Sequence, residues 1–501
     1  MDETIIAGAG PAGLAAAHEL AEQGRPAAVY ERESRVGGIA KTVEYEGYRF
    51  DLGGHRFFTK VPEVQRLWEE TLGDAFEVRP RLSRIYYRNR FFQYPLRPLN
   101  ALAGLGPVES ARILASYAKA RLFPTPEERT FEDWVVNRFG RRLFEIFFET
   151  YTEKVWGIPC DEISSDWAAQ RIRNLDLTSA VKNALFGGRA RSSGNGEVVA
   201  SLIDQFHYPR LGPGMMWETW RDRIAERGVE TTLESEVVRL HHERGRVRAV
   251  DVLHRSGREE RVSAAHAVST MPLRDLVRAM TPEAPASVRE AGEALRYRDF
   301  LIVVLIADAP DLFPDNWIYI HSPEVRVGRI QNFKNWSEAM VPDASRTSLG
   351  LEYFVQKDGD LWNAPDDELL RLGTRETARL GLLDPDRVVD GTVVRVPDAY
   401  PVYDPASRAA VAEIRAWLAG FENLHPIGRN GQHRYNNQDH SMVTGLYAAR
   451  TIAGSPHPIW DVNVESAYHE EVTAGEEGAD TNAGGDRLVP QRAGRPGVEE
   501  V

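Results

Sequence analysis

The chain has 501 residues, 61 Lys plus Arg against 74 Asp plus Glu, and a formal net charge of −13. That acid surplus excludes a protein gripping duplex nucleic acid or an anionic membrane through a broad basic surface. Hydrophobic residues at 42% and charged residues at 27% can build a large core and exclude a fibrous or disordered chain; at roughly 150 residues per domain, the length suits about three domains or one multi-lobed unit.

Met1-Asp2-Glu3 leads straight into strand-like Thr4 to Ala7 with no basic leader, and Cys160 is the single cysteine. Disulfides, cysteine-based zinc sites and iron–sulfur clusters therefore lack ligands, no metal site is expected, and a reducing, cytoplasmic setting is. Residues 4 to 31 read as strand, glycine turn, helix, strand: a βαβ unit. From Pro62 the periodicity turns helical, most strongly between Phe131 and Tyr151, where Trp134, Val135, Phe139, Leu143, Ile146 and Phe147 recur at helical steps. Short strands return over 229 to 270. Strand-like runs then follow at Phe300 to Ala307, Trp317 to Ile320, Val325 to Gln331, Leu349 to Val355 and Thr392 to Val396. Phe300 to Ala307, the longest apolar run, is far below the roughly 20 residues needed to span a bilayer. A last helix is expected from near Asp439, and the Gly- and Glu-rich stretch after residue 473 lacks apolar periodicity.

The predicted fold class is α/β: a Rossmann-like domain assembled from 1–90, 201–275 and 415–472, a helical insert over 91–200, a mostly antiparallel sheet lobe over 276–414, and a disordered tail over 473–501.

Gly8, Gly10 and Gly13, with Pro11 and Ala12 between them, form GxGxxG directly between a strand and a helix. The first glycine permits a tight turn, the second lets backbone approach a pyrophosphate, and the third permits close helix–strand packing. Glu31 lies 18 residues past Gly13 at the end of the second strand, where a carboxylate can accept a ribose hydroxyl and disfavours a 2′-phosphate. FAD or NAD is thus preferred over NADP. No second GxGxxG occurs; a bound flavin would take electrons from an external donor or not consume them. Arg32 follows the acid, and Gly37-Gly38 resembles the extension found in FAD-binding members of the amine-oxidase and glutathione-reductase-like superfamily.

Gly53-Gly54-His55-Arg56-Phe57-Phe58 resembles the GGH element of the UDP-galactopyranose mutase family, and further segments resemble its eukaryotic-type members. Tyr94-Pro95-Leu96-Arg97 resembles YPFQ, and Lys154 to Pro159, with Arg171 downstream, resembles KVWAVP and its diphosphate-binding arginine. Arg329 resembles the second such arginine, Tyr400-Pro401-Val402-Tyr403 the YPxP stretch, and Gly428 to Met442 the GRxGxxKY and NQDHSxM blocks. Arg97 stands where glutamine is usual, Tyr403 where proline is, and Thr152 where asparagine is common.

The resemblance implies a reduced FAD whose N5 attacks the anomeric carbon of a nucleotide-diphosphate sugar, giving a flavin–sugar adduct and a pyranose–furanose interconversion without net redox. It implies that Arg171 and Arg329 bind the diphosphate and that His55 tunes the flavin. It further implies that Tyr94, Arg97, Trp156, Tyr400, Tyr435 and Asn437 contact substrate, and that Val237, Arg429, Asp439, Ser441 and Met442 join the glycines and Glu31 around FAD. Phe57 is a further candidate stacking face. The expected partners are the sugar nucleotide and an external electron donor, without nucleic acid or membrane, in a possible homo-oligomer. The alternative is an FAD-dependent oxidoreductase of the amine-oxidase or protoporphyrinogen-oxidase type; a non-enzymatic flavin-binding module is a third.

Overall fold

The structure, a computed structural model, describes residues 3–94, 96, 98–163, 165, 201–202, 205–402, 404–463 and 471–472. Arg97, Arg171, Tyr403 and the expected tail lie outside these residues.

The N-terminal unit is β1 (Thr4–Ala7), α1 (Pro11–Glu22) and β2 (Ala27–Tyr30). A parallel five-stranded sheet runs in the order Glu230–Thr232, β2, β1, His266–Ser269, Leu424–Pro426. Parallel pairing buries both faces, which is why β1 is apolar and buried along its length. The alanines of α1 give a close-packing face: a Cβ added to Gly445, in the closing helix Gln438–Ile452, would stand 2.2 Å from the Ala12 carbonyl oxygen. Three distant segments thereby meet at the end of β1.

The strands Ser235–Glu243, Arg246–His254 and Glu259–Ser263 form the antiparallel part of a satellite sheet beside this unit, which Met280–Thr281 extends by a parallel pairing. Helices Pro107–Leu122 and Phe131–Phe139 lead the helical segment, whose core gathers Phe92, Ile113, Phe131, Val135, Phe144 and Phe147.

The largest sheet has seven strands: Val388–Pro401, Tyr297–Ala307, Thr347–Val355, Arg329–Asn332, Trp317–Ile320, Ser83–Tyr87, Arg90–Gln93. Its pairs are antiparallel except Trp317–Ile320 with Ser83–Tyr87. The expected boundary at residue 90 therefore falls inside the hairpin that completes this sheet. Tyr297–Ala307 is buried throughout because helix Asp366–Arg379 covers one face while Phe333 and Trp336 cover the other. The strand expected from Val325 forms only over Arg329–Asn332. The preceding residues are diverted: the Arg326 and Val327 amides donate to the Glu376 carboxylate at 2.6 and 3.0 Å, and the Val327 carbonyl accepts from Lys154 Nζ at 3.2 Å. Among the described residues, no helix is long and apolar enough to cross a membrane.

Candidate active site

The chain leaves β1 through Gly8, whose φ of +101° is a left-handed conformation that side chains disfavour. α1 then begins with Gly10 as its N-cap; no side chain caps it and its first turn contains no acid. Its leading amides and positive dipole end remain available to an anion. A Cβ on Gly13 would lie 1.9 Å from the Gly8 carbonyl oxygen, so that glycine is demanded by packing within the chain. A Cβ on Gly10 would meet nothing nearer than the Gly38 Cα at 3.8 Å. The folded chain thus has room at Gly10, and the gap facing Gly38 is a cradle for a bound group.

The buried Glu31 accepts at Oε2 from the Ala9 amide, 2.7 Å, and at Oε1 from the Glu33 amide, 2.9 Å. Burial pushes its pKa up against these amide donors, and its remaining lone pairs suit ribose hydroxyls. The Gly37 amide donates to the Ala9 carbonyl at 2.8 Å, and the Ser235 amide to the Glu31 carbonyl at 2.8 Å. The latter bond brings Val237's strand alongside; Val237 is buried, whereas Arg32 is exposed. Open amides, cradle and acid fit the pyrophosphate and ribose of FAD.

Strand Tyr48–Asp51 leads into Gly53, at φ +116°. Cβ atoms built on Gly53 and Gly54 would stand 3.8 and 3.9 Å from guanidinium nitrogens of Arg329, so this loop lies directly against that side chain. His55 Nε2 is 2.9 Å from the Leu52 carbonyl oxygen. Burial, reinforced by Arg429 and Arg329, pushes its pKa down to about 4, leaving a neutral imidazole at pH 7. From the closing helix, Gln438 Nε2 donates to the His55 carbonyl at 3.3 Å, and Thr59 Oγ1 donates to Asp439 Oδ2 at 3.0 Å.

Arg329 and Glu352 are cross-strand partners, with Nε 2.6 Å from Oε2. Gln331 donates to the other carboxylate oxygen, and Glu352 is fully buried. Burial opposes the guanidinium charge, but Glu352, with the phenols of Tyr151 and Tyr400, holds its pKa well above the ordinary value. Arg429 donates from Nε to the Asn436 carbonyl at 3.0 Å and lies 4.5 Å from the centroid of Tyr435 and 5.6 Å from that of Tyr400. These tyrosines stack at 5.9 Å. A circuit of rings closes the site: Tyr151 to Tyr319 at 5.5 Å, Tyr319 to Tyr94 at 4.6 Å, Tyr319 to Trp317 at 6.3 Å, and Trp317 to Trp336 at 5.2 Å. Trp336 in turn borders Gly54.

The structure therefore brings together Gly53, Gly54, His55, Tyr94, Arg329, Tyr400, Tyr435 and Arg429. Asn437 caps the closing helix, its amide 3.4 Å from His440 Nδ1, and Ser441 is buried in the first turns. Other expected residues spend their side chains elsewhere. Met442 Sδ accepts from Trp68 Nε1 at 3.1 Å, and Phe57 packs 4.4 Å from Trp68 in the same core. Trp156 and Thr152 are buried. Lys154 Nζ donates to the carbonyls of Ile320, Ser322 and Val327, and burial pushes its pKa down to about 8; this segment is a clamp onto the sheet. Sequence reasoning missed Glu352, Tyr151 and Tyr319. The signal for Glu352 was a carboxylate alone in the apolar run LGLEYFV, where a buried charge needs a partner.

The chain matches the family described as flavin containing amine oxidoreductase over residues 11–428. It is 27% identical to a probable UDP-galactopyranose mutase of Klebsiella pneumoniae over 176 residues, covering 32% of this chain and 42% of that relative, so less than half the relative's length is spanned. It is 26% identical to coproporphyrinogen III oxidase of Mycobacterium bovis over 441 residues, covering 82% of this chain and 90% of the other. A crystal structure of reduced UDP-galactopyranose mutase superposes with a TM-score of 0.79 at 22% identity, covering 94% of this chain and all of that one; at that identity the likeness shows the fold. With the family matched across most of its length and the glycine cradle and Glu31 in place, the chain belongs to the flavin containing amine oxidoreductases, and its cofactor is FAD.

Proposed function

We propose that this flavoprotein is a mutase interconverting the pyranose and furanose forms of a nucleotide-diphosphate sugar. The observation that carries the reading is the gathering of Arg329, Arg429 and the phenols of Tyr94, Tyr151, Tyr319, Tyr400 and Tyr435 around the Gly53–His55 loop. Guanidinium groups and neutral phenols form a donor-rich surface for phosphate and sugar oxygens. Burial raises the pKa of Tyr151 and Tyr400, so both remain donors at neutral pH.

In this reading the anomeric carbon–oxygen bond to the diphosphate breaks, the sugar oxygen closing the ring is exchanged, and the same bond re-forms, with no net oxidation. Reduced FAD, when bound, supplies the electron-rich centre for that chemistry. Arg329, oriented by Glu352, holds the diphosphate through departure and return, with Arg171 as its proposed second anchor. Neutral His55 adds no charge beside the flavin. Tyr400 and Tyr435 orient phosphate oxygens, and the rings around Trp317 exclude water. A second reading, oxidation of a bulky substrate, is favoured by the extent of the coproporphyrinogen III oxidase match.

The test is incubation with UDP-galactopyranose and other nucleotide sugars, with and without dithionite, followed by chromatography. Conversion confined to the reduced enzyme is expected; bleaching of the flavin by coproporphyrinogen without isomerisation of any sugar nucleotide would overturn the mutase reading.

A further inference from the structure

We propose that Arg81 is a further substrate-binding residue of this site and takes phosphate oxygens of a nucleotide diphosphate. The inference rests on the sugar-nucleotide reading above and identifies a residue that no sequence motif selected.

The first argument is position. The Arg81 guanidinium carbon lies 5.4 Å from the Tyr94 ring centroid and 5.6 Å from that of Trp317, both members of the circuit that runs from Gly54 to Arg329. The loop carrying it is fixed: the Leu82 amide donates to Asn316 Oδ1 at 2.8 Å, and the Asn316 amide donates to the Leu82 carbonyl at 2.9 Å. Asn316 immediately precedes Trp317, so backbone and ring hold Arg81 together.

The second argument is which donors remain unspent. Arg329 is neutralised by the buried carboxylate of Glu352, and Arg429 gives its Nε to the Asn436 carbonyl. Arg81 Nε and Nη2 are buried with no hydrogen-bond partner among the described residues. Buried donors left unmet are costly even on a half-buried cation; acceptors supplied by a ligand remove that cost. A planar fork with adjacent donors matches phosphate oxygens.

The third argument is charge. Arg56 places its guanidinium carbon 5.1 Å from the same Trp317 centroid, so one indole carries cations from two segments. Two guanidinium groups against one ring make the surroundings of Trp317 cation-rich, which favours an anionic ligand over a neutral one.

The test uses the full-length, FAD-loaded protein in calorimetric titrations with UDP, uridine and inorganic pyrophosphate. Arg81→Met is expected to weaken UDP by about 10- to 100-fold, the loss of charge-assisted hydrogen bonds, with uridine binding and flavin absorbance unchanged. Arg81→Lys, which keeps the charge without the fork, is expected to fall between and guards against a folding defect in Arg81→Met. UDP affinity within twofold of wild type in Arg81→Met would overturn the proposal. If wild type binds pyrophosphate through Arg81 but not UDP, the sugar-nucleotide reading and the nucleotide part of this proposal fall, and Arg81's role as an anion-binding residue stands. If wild type binds neither, both fall.

Discussion

The two ends of the site are built from different materials. At the end of β1 the binding surface is backbone: glycine turn, uncapped helix amides and one acid whose oxygens meet main-chain N–H groups. Around Gly53–His55 it is side chain: guanidinium groups, phenols and a buried carboxylate drawn from strands, short helices and turns spread along the chain. A backbone surface recognises a phosphate in any member of a superfamily, whereas a side-chain surface can change its ligand one residue at a time. The difference shows how a backbone cradle can be shared with oxidases of the same family while the proposed mutase chemistry depends on the side chains facing Arg329.

Gly10→Ala tests the backbone end and should have the largest effect. The chain itself accommodates the methyl group, so the variant should fold yet lose flavin; the checks are the 450 nm absorbance of the purified protein, an expected on-scale readout of bound flavin of roughly that wavelength for any flavoprotein, and its circular dichroism. Full flavin content would show that nothing approaches Gly10. At the side-chain end, Arg329→Met combined with Glu352→Gln avoids leaving a buried charge unpaired. It should keep FAD and lower kcat by about 100- to 1000-fold, the scale for removing one transition-state donor; wild-type turnover would remove Arg329 from the chemistry. Glu31→Gln is milder, weakening FAD by about tenfold through loss of a charge-assisted bond, read by cofactor dissociation on dilution.

The same contrast governs what was legible in the sequence. The nucleotide end could be read because its signals are local: glycines at fixed spacing and an acid one strand later. The apolar run Phe300 to Ala307 and the helix expected from near Asp439 were legible for the same reason, and they fall within the observed Tyr297–Ala307 and Gln438–Ile452. The strand at Val325 was over-extended because hydrophobicity does not reveal that Glu376 and Lys154 take its backbone groups. Arg329 and Tyr400 were found by resemblance, but of the groups that set Arg329's environment, Glu352 is joined to it by strand register and Tyr151 by the packing of helix Thr150–Trp156 on the sheet.

The support beneath the side-chain end offers a finer test. Asp51, four residues before His55, is buried and accepts from Thr42 Oγ1 at 2.9 Å and from the Tyr208 hydroxyl at 2.5 Å. Burial pushes its pKa up to about 7 despite those bonds. A group raised in the folded state contributes stability that is fully present below its unfolded pKa, here the ordinary 3.8, and is lost as pH rises through about 7. Asparagine keeps the neutral shape at every pH. The Tm of Asp51→Asn relative to wild type should therefore improve between pH 5 and pH 8.5, two pH settings about either side of the transition, by on the order of 1 to 2 °C. His55, His425 and His433, each pushed down to about 4 by burial, act in the opposite sense, costing stability as pH falls below the ordinary histidine value. They are common to both proteins and cancel in the difference, so a Tm difference that does not change with pH would mean that folded Asp51 is already ionised throughout this range.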